Sequence, residues 1–489
     1  MNRRIITDMY HSFRFLVLTA LVIVFTHSRA AGESVRIYPA PADEPLSTNF
    51  TASIGSNNIP VYLAKVAPAD PAQRRGVARP DGTLYHDNTS FASFDLNGSA
   101  KVSVTCPETI REAKVLPLSR GIVPVIAGNT LTFDVAKPGA VEIEVNGEWV
   151  HSLQLFVNPM EKNAPNTNDP SVIYFGPGIH HVRDMEITSG KTVYIAGGAV
   201  IYGESAVSSY TNRATALSVL NGGAVFFLNG NNITLCGRGV IDGGLCPNHS
   251  KNLVLVCGTN VTIEGVVLRD SSTWTMPIKM SANISVKNLK IFGYRGNSDG
   301  IDICNSHDVS VTDCFMRTMD DLVVIKTPIK GAGESRDITV SRCVLWNELA
   351  HALSIGAELR ENVEGVHFSD CDIIRDRGRE WLLRVFHCDT GDIHDITFDN
   401  IRAEEAKRLA SLWIGQAVWS KDSERGHIEN VTFENIHATG ANPRIELKGF
   451  DSSHKIADVR FRNIVINGKP LQATNVIANE FVEGVSVKP

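Results

Sequence analysis

Three features are missing from this 489-residue sequence: a long apolar run beyond its start, a cluster of basic residues, and a Cys-x-x-Cys pair among its nine cysteines. A helix that crosses a bilayer needs about 20 consecutive apolar residues, so no membrane span is expected. Lysine and arginine are scattered and the formal net charge is −6, which argues against nucleic acid as a partner. The cysteine spacing argues against a structural zinc site.

The start of the chain has the parts of a secretory signal peptide. Arg3, Arg4 and Arg14 lie before the apolar run of residues 15–25, and small residues follow at 28–31. This order of charge, apolar run and small residues predicts a signal peptide over residues 1–31 and a secreted protein, extracellular or periplasmic. An uncleaved membrane anchor is the alternative, but the run is too short to span a bilayer. The mature protein is expected to be a monomer.

Residues 33–157 show short alternating runs that are broken by proline, glycine and asparagine. This spacing is typical of a small antiparallel β-sandwich. The polar, proline-bearing stretch 158–171 is then predicted to be a linker. The runs from which the sandwich is predicted are residues 34–38, 100–104, 130–135, 140–145 and 153–157.

From residue 172 to 489 the sequence repeats loosely, with short strand-like runs and no amphipathic helix. A repeat of this kind indicates a solenoid, and we predict a right-handed parallel β-helix. A β-propeller is the main rival, but propeller repeats are longer, and leucine-rich repeats are excluded by the missing leucine frame. Cys314, Cys343 and Cys371 fall in one slot of successive repeats and are predicted to stack inside rather than form bridges. The slot continues at Ile401, Ile436 and Ile464, with steps of 29, 28, 30, 35 and 28 residues.

Three aspartates are the most informative residues of this repeat. Asp299 lies about one turn before the pair Asp320 and Asp321, and His351 follows about one turn later. Strands in adjacent turns lie about 4.8 Å apart, so these side chains are expected to meet on one face. Crowded carboxylates gain nothing in a core, but their pKa values are pushed apart, which suits acid–base catalysis. Taken singly, each aspartate would be read as a turn residue and His351 as a packed imidazole.

Five motifs follow one another along the chain: Gly237–Gly243, Ser271–Met276, Asn297–Asp302, Asp320–Lys326 and His351–Gly356. Together they resemble glycoside hydrolase family 28, the polygalacturonase family, over roughly residues 172–470. The resemblance implies a pectin-lyase-like β-helix and a hydrolase that inverts the anomeric configuration, with acid and base about 6.5–9.5 Å apart. It implies that Asp320 is the general acid, that Asp299 and Asp321 activate water, and that His351 holds the acid in its working protonation state.

The departures from the family pattern concern substrate binding. Arg384 occupies the arginine position of the family's Arg-Ile-Lys motif, but Phe386 stands where the lysine that binds a sugar carboxylate would be. The subsite is therefore expected to be altered, and homogalacturonan is in doubt as the substrate. The candidate substrate-binding residues are Asn297, Lys326, Arg384, Phe386 and Trp419.

We expect a polysaccharide or oligosaccharide substrate and neither a metal ion nor a cofactor. Two alternatives stay open: a polysaccharide lyase on the same fold, in which the three aspartates bind Ca²⁺, and a non-catalytic glycan-binding solenoid. Trp346, Trp381, Trp413 and Trp419 are candidate platforms for sugar rings, against the alternative that each is buried. The sandwich is expected to cover one open end of the solenoid.

Overall fold

The structure is a computed structural model, and it describes residues 34–74, 77–162, 164–205 and 223–489. The predicted signal peptide at residues 1–31 lies outside the described residues. Among the described residues, no helix is long and apolar enough to cross a membrane. The regular structure of these described residues is β, apart from single turns of 3₁₀-helix at Pro71–Gln73, Leu118–Arg120 and Ala473–Asn475.

Two sheets pack face to face in the N-terminal region, as the alternating runs predict. Their inward residues, among them Phe94, Val102, Phe133 and Leu155, form one apolar core. All strand pairs are antiparallel except Asp87–Leu96 with Glu148–Pro159, which run parallel. The last strand ends at Pro159, two residues into the predicted linker. The six-stranded sheet contains Val35–Ile37, Val61–Val66, Asp87–Leu96, Ala113–Leu116, Gly139–Val145 and Glu148–Pro159, and the five-stranded sheet Thr51–Ile54, Asn57–Ile59, Ala100–Thr105, Val125–Ala127 and Thr130–Val135.

From Val172 onward, each turn of the chain contributes one strand to each of three parallel ladders, which is a parallel β-helix. The fold class predicted from the repeat is therefore confirmed. The ladder that we call the front sheet contains Met185–Ile187, the first parts of Ala224–Gly237 and Asn252–Glu264, then Met276–Lys279, Ile301–Cys304, Val323–Thr327, Leu353–Leu359, Leu383–His387, Ala410–Ile414, Ile445–Lys448 and Val476–Ala478.

The base sheet follows the front sheet in each turn, and the back sheet follows the base sheet. The base sheet contains Val172–Phe175, Thr192–Ile195, the second parts of Ala224–Gly237 and Asn252–Glu264, Ala282–Lys287, His307–Thr312, Ser335–Ser341, Val363–Ser369, Ile393–Asp399, the first parts of Ile428–Ala438 and Ile456–Ile466, Val482–Glu483 and Ser486–Lys488. The back sheet contains Gly178–Val182, Ala199–Gly203, Val240–Asp242, Val267–Arg269, Lys290–Phe292, Phe315–Thr318, Val344–Asn347, Asp372–Asp376, Arg402–Ala403 and the ends of Ile428–Ala438 and Ile456–Ile466, where Lys469–Pro470 adds a short hairpin.

The bend between base and back sheets explains the repeated Asn or Asp of the sequence pattern. Asp313 and Asp370 adopt the left-handed conformation, with φ of 57° and 52°, just before the inward Cys314 and Cys371. Asx residues tolerate this conformation best after glycine, and here it turns the chain sharply. Cys314, Cys343 and Cys371 are buried and free, which confirms the predicted interior row.

The sandwich packs against the side of the solenoid, so the expectation that it covers an open end is wrong. Outward residues of the back sheet from Val200 to Ile374 form one apolar cluster with Phe91 and Phe156 of the sandwich. The back sheet is therefore covered on both faces. Buried ion pairs between the two parts, such as Arg238 with Asp95 at 2.7 Å, border this contact. The outer face of the front sheet does not contribute to this cluster.

Candidate active site

Asp299, Asp321 and His351 each lie two residues before a strand of the front sheet, in the same position of three successive turns. Main-chain hydrogen bonds join these turns directly: Gly300 donates to the Asp321 oxygen at 2.8 Å, and Leu322 donates to the His351 oxygen at 2.9 Å. The turns therefore stack in register although their lengths differ. We call this position, continued at Trp381 and Arg408 in the next two turns, the site column.

The three carboxylates form one cluster. Asp299, Asp320 and Asp321 each bring one oxygen to within 4.8 Å of the others. Asp299 is buried, whereas Asp320 and Asp321 are half-buried and open the cluster to solvent. These distances between single oxygens are shorter than the roughly 6.5–9.5 Å that the resemblance implies between acid and base, because the three side chains come from two adjacent turns and from adjacent residues.

Burial and mutual repulsion disfavour full ionisation of this cluster. Burial, followed by the charges of Asp302 and Asp320, raises the pKa of Asp299 well above its usual range. Burial and then the charge of Asp320 do the same for the pKa of Asp321. Both shifts favour protonation within the cluster, and a cluster that is protonated in part combines a carboxylic acid with a carboxylate.

Lys326 supplies the positive charge beside the cluster. Its Nζ lies 3.5 Å from Asp299 Oδ2 and 3.0 Å from Asp302 Oδ1, and it lies 4.0 Å from the centroid of the Trp274 ring. Lys326 is buried, so it balances these acids rather than facing a substrate carboxylate. Burial raises the pKa of Asp302 to about 6, against the lowering effect of Lys326.

The sequence reasoning gave no role to Asp302 or Trp274. The signal for Asp302 was present, because it is the polar residue between Ile301 and Ile303, which point into the core. Asp302 therefore points outward from its strand, near Asp299. An outward carboxylate in this position is a candidate partner for a buried lysine such as Lys326.

His351 is neutral and has one defined tautomer. Its Nδ1 lies 2.7 Å from the main-chain oxygen of Trp381, and an oxygen can only accept, so Nδ1 carries the proton. Nε2 is left as an acceptor. Burial, aided by the charge of Arg384, lowers the pKa of His351 to about 3. The main chain of His351 also donates to Asp321 Oδ1 at 3.3 Å.

Arg384 is already paired within the protein. Its Nη1 donates to Glu380 Oε2 at 2.9 Å, and its guanidinium carbon lies 4.2 Å from the centroid of the Phe386 ring. Arg384 is buried, whereas Phe386 is half-buried. A substrate carboxylate would have to compete with Glu380 for this guanidinium.

Phe386, on the front-sheet strand Leu383–His387, belongs to an aromatic cluster. The Trp413 and Trp419 rings lie 4.8 Å and 5.9 Å from the Phe386 ring, both nearly perpendicular to it. Trp419 is 40% exposed, so the cluster presents an aromatic surface to solvent. Aromatic rings of this kind bind the apolar faces of sugars.

Asn297 and two tryptophans complete the set of predicted residues. Asn297 is exposed, and its Oδ1 lies 3.3 Å from His249 Nε2. Trp346 is fully buried under the sandwich, 3.6 Å from the Arg317 guanidinium, so the prediction of a sugar platform there is wrong. Trp381 is 5% exposed and lies in the site column.

The cluster offers three oxygen ligands, which is the donor set that Ca²⁺ prefers. However, Lys326 already places a positive charge 3.5 Å from Asp299. A divalent cation on Asp299 would be repelled by this ammonium group. The residues present therefore fit acid–base chemistry better than a calcium site.

The fold and the site together define a class of protein, a parallel β-helix that carries three clustered carboxylates beside its front sheet. The family model of glycosyl hydrolases family 28 matches residues 184–483, which is more than half of the chain. The chain belongs to glycosyl hydrolases family 28, and the resemblance drawn from the sequence motifs is confirmed.

Polygalacturonases are among the curated relatives that match. An exopolygalacturonase of Arabidopsis thaliana is 27% identical over 186 residues, which cover 37% of this chain and 42% of the relative. A polygalacturonase of Chamaecyparis obtusa is 25% identical over 282 residues, which cover 51% of this chain and 53% of the relative. The chain thus matches only about half, or less, of the length of these relatives.

Among solved structures, Dex49A from Penicillium minioluteum matches with a TM-score of 0.51 and 14% identity, covering 92% of this chain and 91% of that chain. At this identity the likeness supports the fold and nothing finer.

Proposed function

We propose that the protein is a secreted glycoside hydrolase that cleaves an O-glycosidic bond in a polysaccharide or oligosaccharide without a metal ion or cofactor. The observation that carries the proposal is the cluster of Asp299, Asp320 and Asp321, in which one oxygen of each lies within 4.8 Å of the others. Glycoside hydrolysis needs one carboxylic acid and one carboxylate at the same bond. A buried cluster whose surroundings favour protonation offers both.

In this proposal Asp320 protonates the glycosidic oxygen, while Asp299 and Asp321 activate water. The assignment follows the family motif, and the half-buried position of Asp320 is compatible with access to a substrate. The raised pKa values of Asp299 and Asp321 make either of them a rival proton donor. His351, an acceptor at Nε2, is proposed to hold the proton of the acid by a hydrogen bond.

Inversion of the anomeric carbon is part of the proposal and rests on the family motif. The oxygens of the cluster lie within 4.8 Å of one another, and a short separation of the two carboxyl groups is typical of retaining enzymes, a longer one of inverting enzymes. Three acids differ from a simple pair, however, since Asp299 and Asp321 can hold one water between them. The stereochemistry of the first product decides between these readings.

The subsite beside the acids is proposed to take a sugar unit without a carboxylate. Arg384 is paired with Glu380 at 2.9 Å, and Lys326 with Asp299 and Asp302. Phe386, Trp413 and Trp419 add an aromatic surface instead of a second cation. Neutral sugar faces suit such a surface better than uronate edges.

A polysaccharide lyase is the second candidate, because the acid cluster offers calcium ligands. It would leave an unsaturated product that absorbs ultraviolet light, which a hydrolase does not. The purified protein should be screened against a panel of neutral and acidic polysaccharides, with reducing ends and ultraviolet absorbance read together. New reducing ends without absorbance support the hydrolase. Absorbing products that disappear with EDTA would establish the lyase, and no product from any polysaccharide would favour a glycan-binding solenoid.

A further inference from the structure

The site column continues beyond His351 to a pair of arginines. Trp381 follows His351 by one turn and Arg408 follows Trp381 by one turn, because Leu382 donates to the Arg408 oxygen at 3.0 Å. Leu409 in turn donates to the Arg444 oxygen at 3.0 Å, which places Arg444 in the next turn. Arg408 thus lies three turns from Asp321, or about 14 Å at about 4.8 Å a turn.

Both guanidinium groups approach the same aromatic ring. The guanidinium carbon of Arg408 lies 5.9 Å from the centroid of the Trp381 ring, and that of Arg444 lies 5.7 Å from it. Arg444 starts two turns away from Trp381, so its side chain extends back along the solenoid to reach the ring. The indole ring is 5% exposed, whereas both arginines keep partial access to solvent.

Within the described part of the chain, neither guanidinium forms an ion pair or a side-chain hydrogen bond. The Nε atom of Arg444 is buried without a partner. Arg384 and Lys326, closer to the acids, are both paired with carboxylates. Two unpaired cations on one ring repel each other, and an anion beside them removes this cost.

We propose that Arg408, Arg444 and Trp381 form a distal subsite for an anionic sugar unit, one that carries a carboxylate or a sulfate ester. This inference rests on the proposed function, because it assumes that a glycan lies along the front of the solenoid. It also sharpens the substrate class: a glycan that is neutral at the cleaved bond and acidic a few units away. Arginine suits this task, since its planar donors match carboxylate and sulfate oxygens.

The test measures binding rather than turnover, in the inactive variant Asp320→Asn, by titration calorimetry. The probes are short oligogalacturonates, their carboxyl-reduced neutral counterparts, and an oligosaccharide of similar length that has no carboxylate but carries sulfate esters. Arg408→Ala and Arg444→Ala are each expected to weaken binding of an anionic probe by about 10-fold or more. Binding of the neutral probe is expected to stay unchanged, and affinity for the anionic probe is expected to fall with added salt.

Arg462→Ala is the matched control, because this exposed arginine lies on the base sheet and pairs with Glu434 at 3.5 Å. If either alanine variant unfolds, Arg408→Gln and Arg444→Gln replace them, because glutamine keeps a long polar side chain and removes the charge. Arginine-dependent binding of the sulfated probe alone would identify the anion as a sulfate ester. Equal loss of neutral and anionic probes, or no loss of either, would overturn the proposal. If the protein binds anionic probes through these arginines but cleaves no polysaccharide, the subsite proposal holds and only the proposed hydrolase function is wrong.

Discussion

Arg74 of the N-terminal region donates a hydrogen bond to the main-chain oxygen of Glu348, three residues before His351, at 3.3 Å. The same side chain donates to the Pro68 oxygen at 2.9 Å, so one guanidinium joins the N-terminal region to a turn of the candidate site. Ala67 packs against Met319, which directly precedes Asp320, and against Leu349, two residues before His351. The sandwich therefore supports the turns that carry Asp320 and His351.

Arg74→Ala is expected to lower kcat by about one order of magnitude, since a charge-assisted hydrogen bond contributes about 1.5–3 kcal/mol. KM should change little, because Arg74 does not line the aromatic surface. Lys101→Ala is the control, a lysine in the sandwich that is 68% exposed. Steady-state kinetics of both variants on the best substrate of the panel provide the measurement. Equal activity of the two variants would show that this contact does not position the site.

Asp320→Asn is expected to abolish turnover while folding and glycan binding persist, because the amide keeps the shape but cannot give up a proton. Asp308→Asn, an exposed acid on a neighbouring turn, should remain active. Activity and calorimetric binding are measured on the same preparations. If Asp320→Asn keeps substantial activity while Asp299→Asn or Asp321→Asn is inactive, the proton donor is Asp299 or Asp321, whose pKa values are raised.

The first product of hydrolysis is expected to have the inverted anomeric configuration, if Asp299 and Asp321 hold the attacking water opposite Asp320. Proton NMR of the reaction in its first minutes, before mutarotation, reads the configuration directly. A retained anomer would mean that one of these aspartates attacks the sugar itself, as the short separation within the cluster would then explain.

Glu142 is expected to make the stability of the protein depend on pH. It is buried between Arg317, Arg375 and Glu144, and burial, followed by the charge of Glu144, raises its pKa to about 8. The native state therefore holds a proton that the unfolded chain has lost above about pH 4.5. The stabilisation of the native state by this bound proton is full below about pH 4.5, and it is lost as the pH rises from there through about 8.

Denaturant unfolding of Glu142→Gln at a series of pH values measures this effect. The unfolding free energy of the variant should decline less than that of the unaltered protein as the pH rises from 5 to 9, since the neutral amide does not titrate. Parallel curves for the two proteins would show that Glu142 is not protonated in the native state.

The stacking of residues in the site column could be predicted from the sequence, because it depends on the spacing of these residues along the chain. Asp299, Asp321 and His351 are separated by 22 and 30 residues, and any chain that advances one turn in each interval must stack them. The strand Thr130–Val135 was likewise predicted to the residue, since alternation and turn residues define it locally.

The position of the sandwich could not be read in the same way, because contacts between distant segments leave only weak local signals. One such signal is the pair Phe315 and Met316, which are both buried on opposite faces of one strand. Apolar residues on both faces indicate a sheet that is covered on both sides. The ion pair of Arg384 with Glu380 could not be predicted from the sequence either, because it depends on the directions of the two side chains rather than on their spacing.

Phe386→Lys is expected to improve cleavage of polygalacturonate by roughly one to two orders of magnitude in kcat/KM, since a second cation beside Arg384 adds a charge-assisted contact of about 1.5–3 kcal/mol. The unaltered protein should cleave polygalacturonate poorly, because every unit of that polymer brings a carboxylate to a surface formed by Phe386, Trp413 and Trp419. Phe386→Met is the matched control, which removes the ring without adding charge. The same two variants should lose activity on the neutral substrate that the panel identifies. If the unaltered protein cleaves polygalacturonate best, Phe386 does not exclude uronates, and Arg384 must exchange Glu380 for the substrate carboxylate.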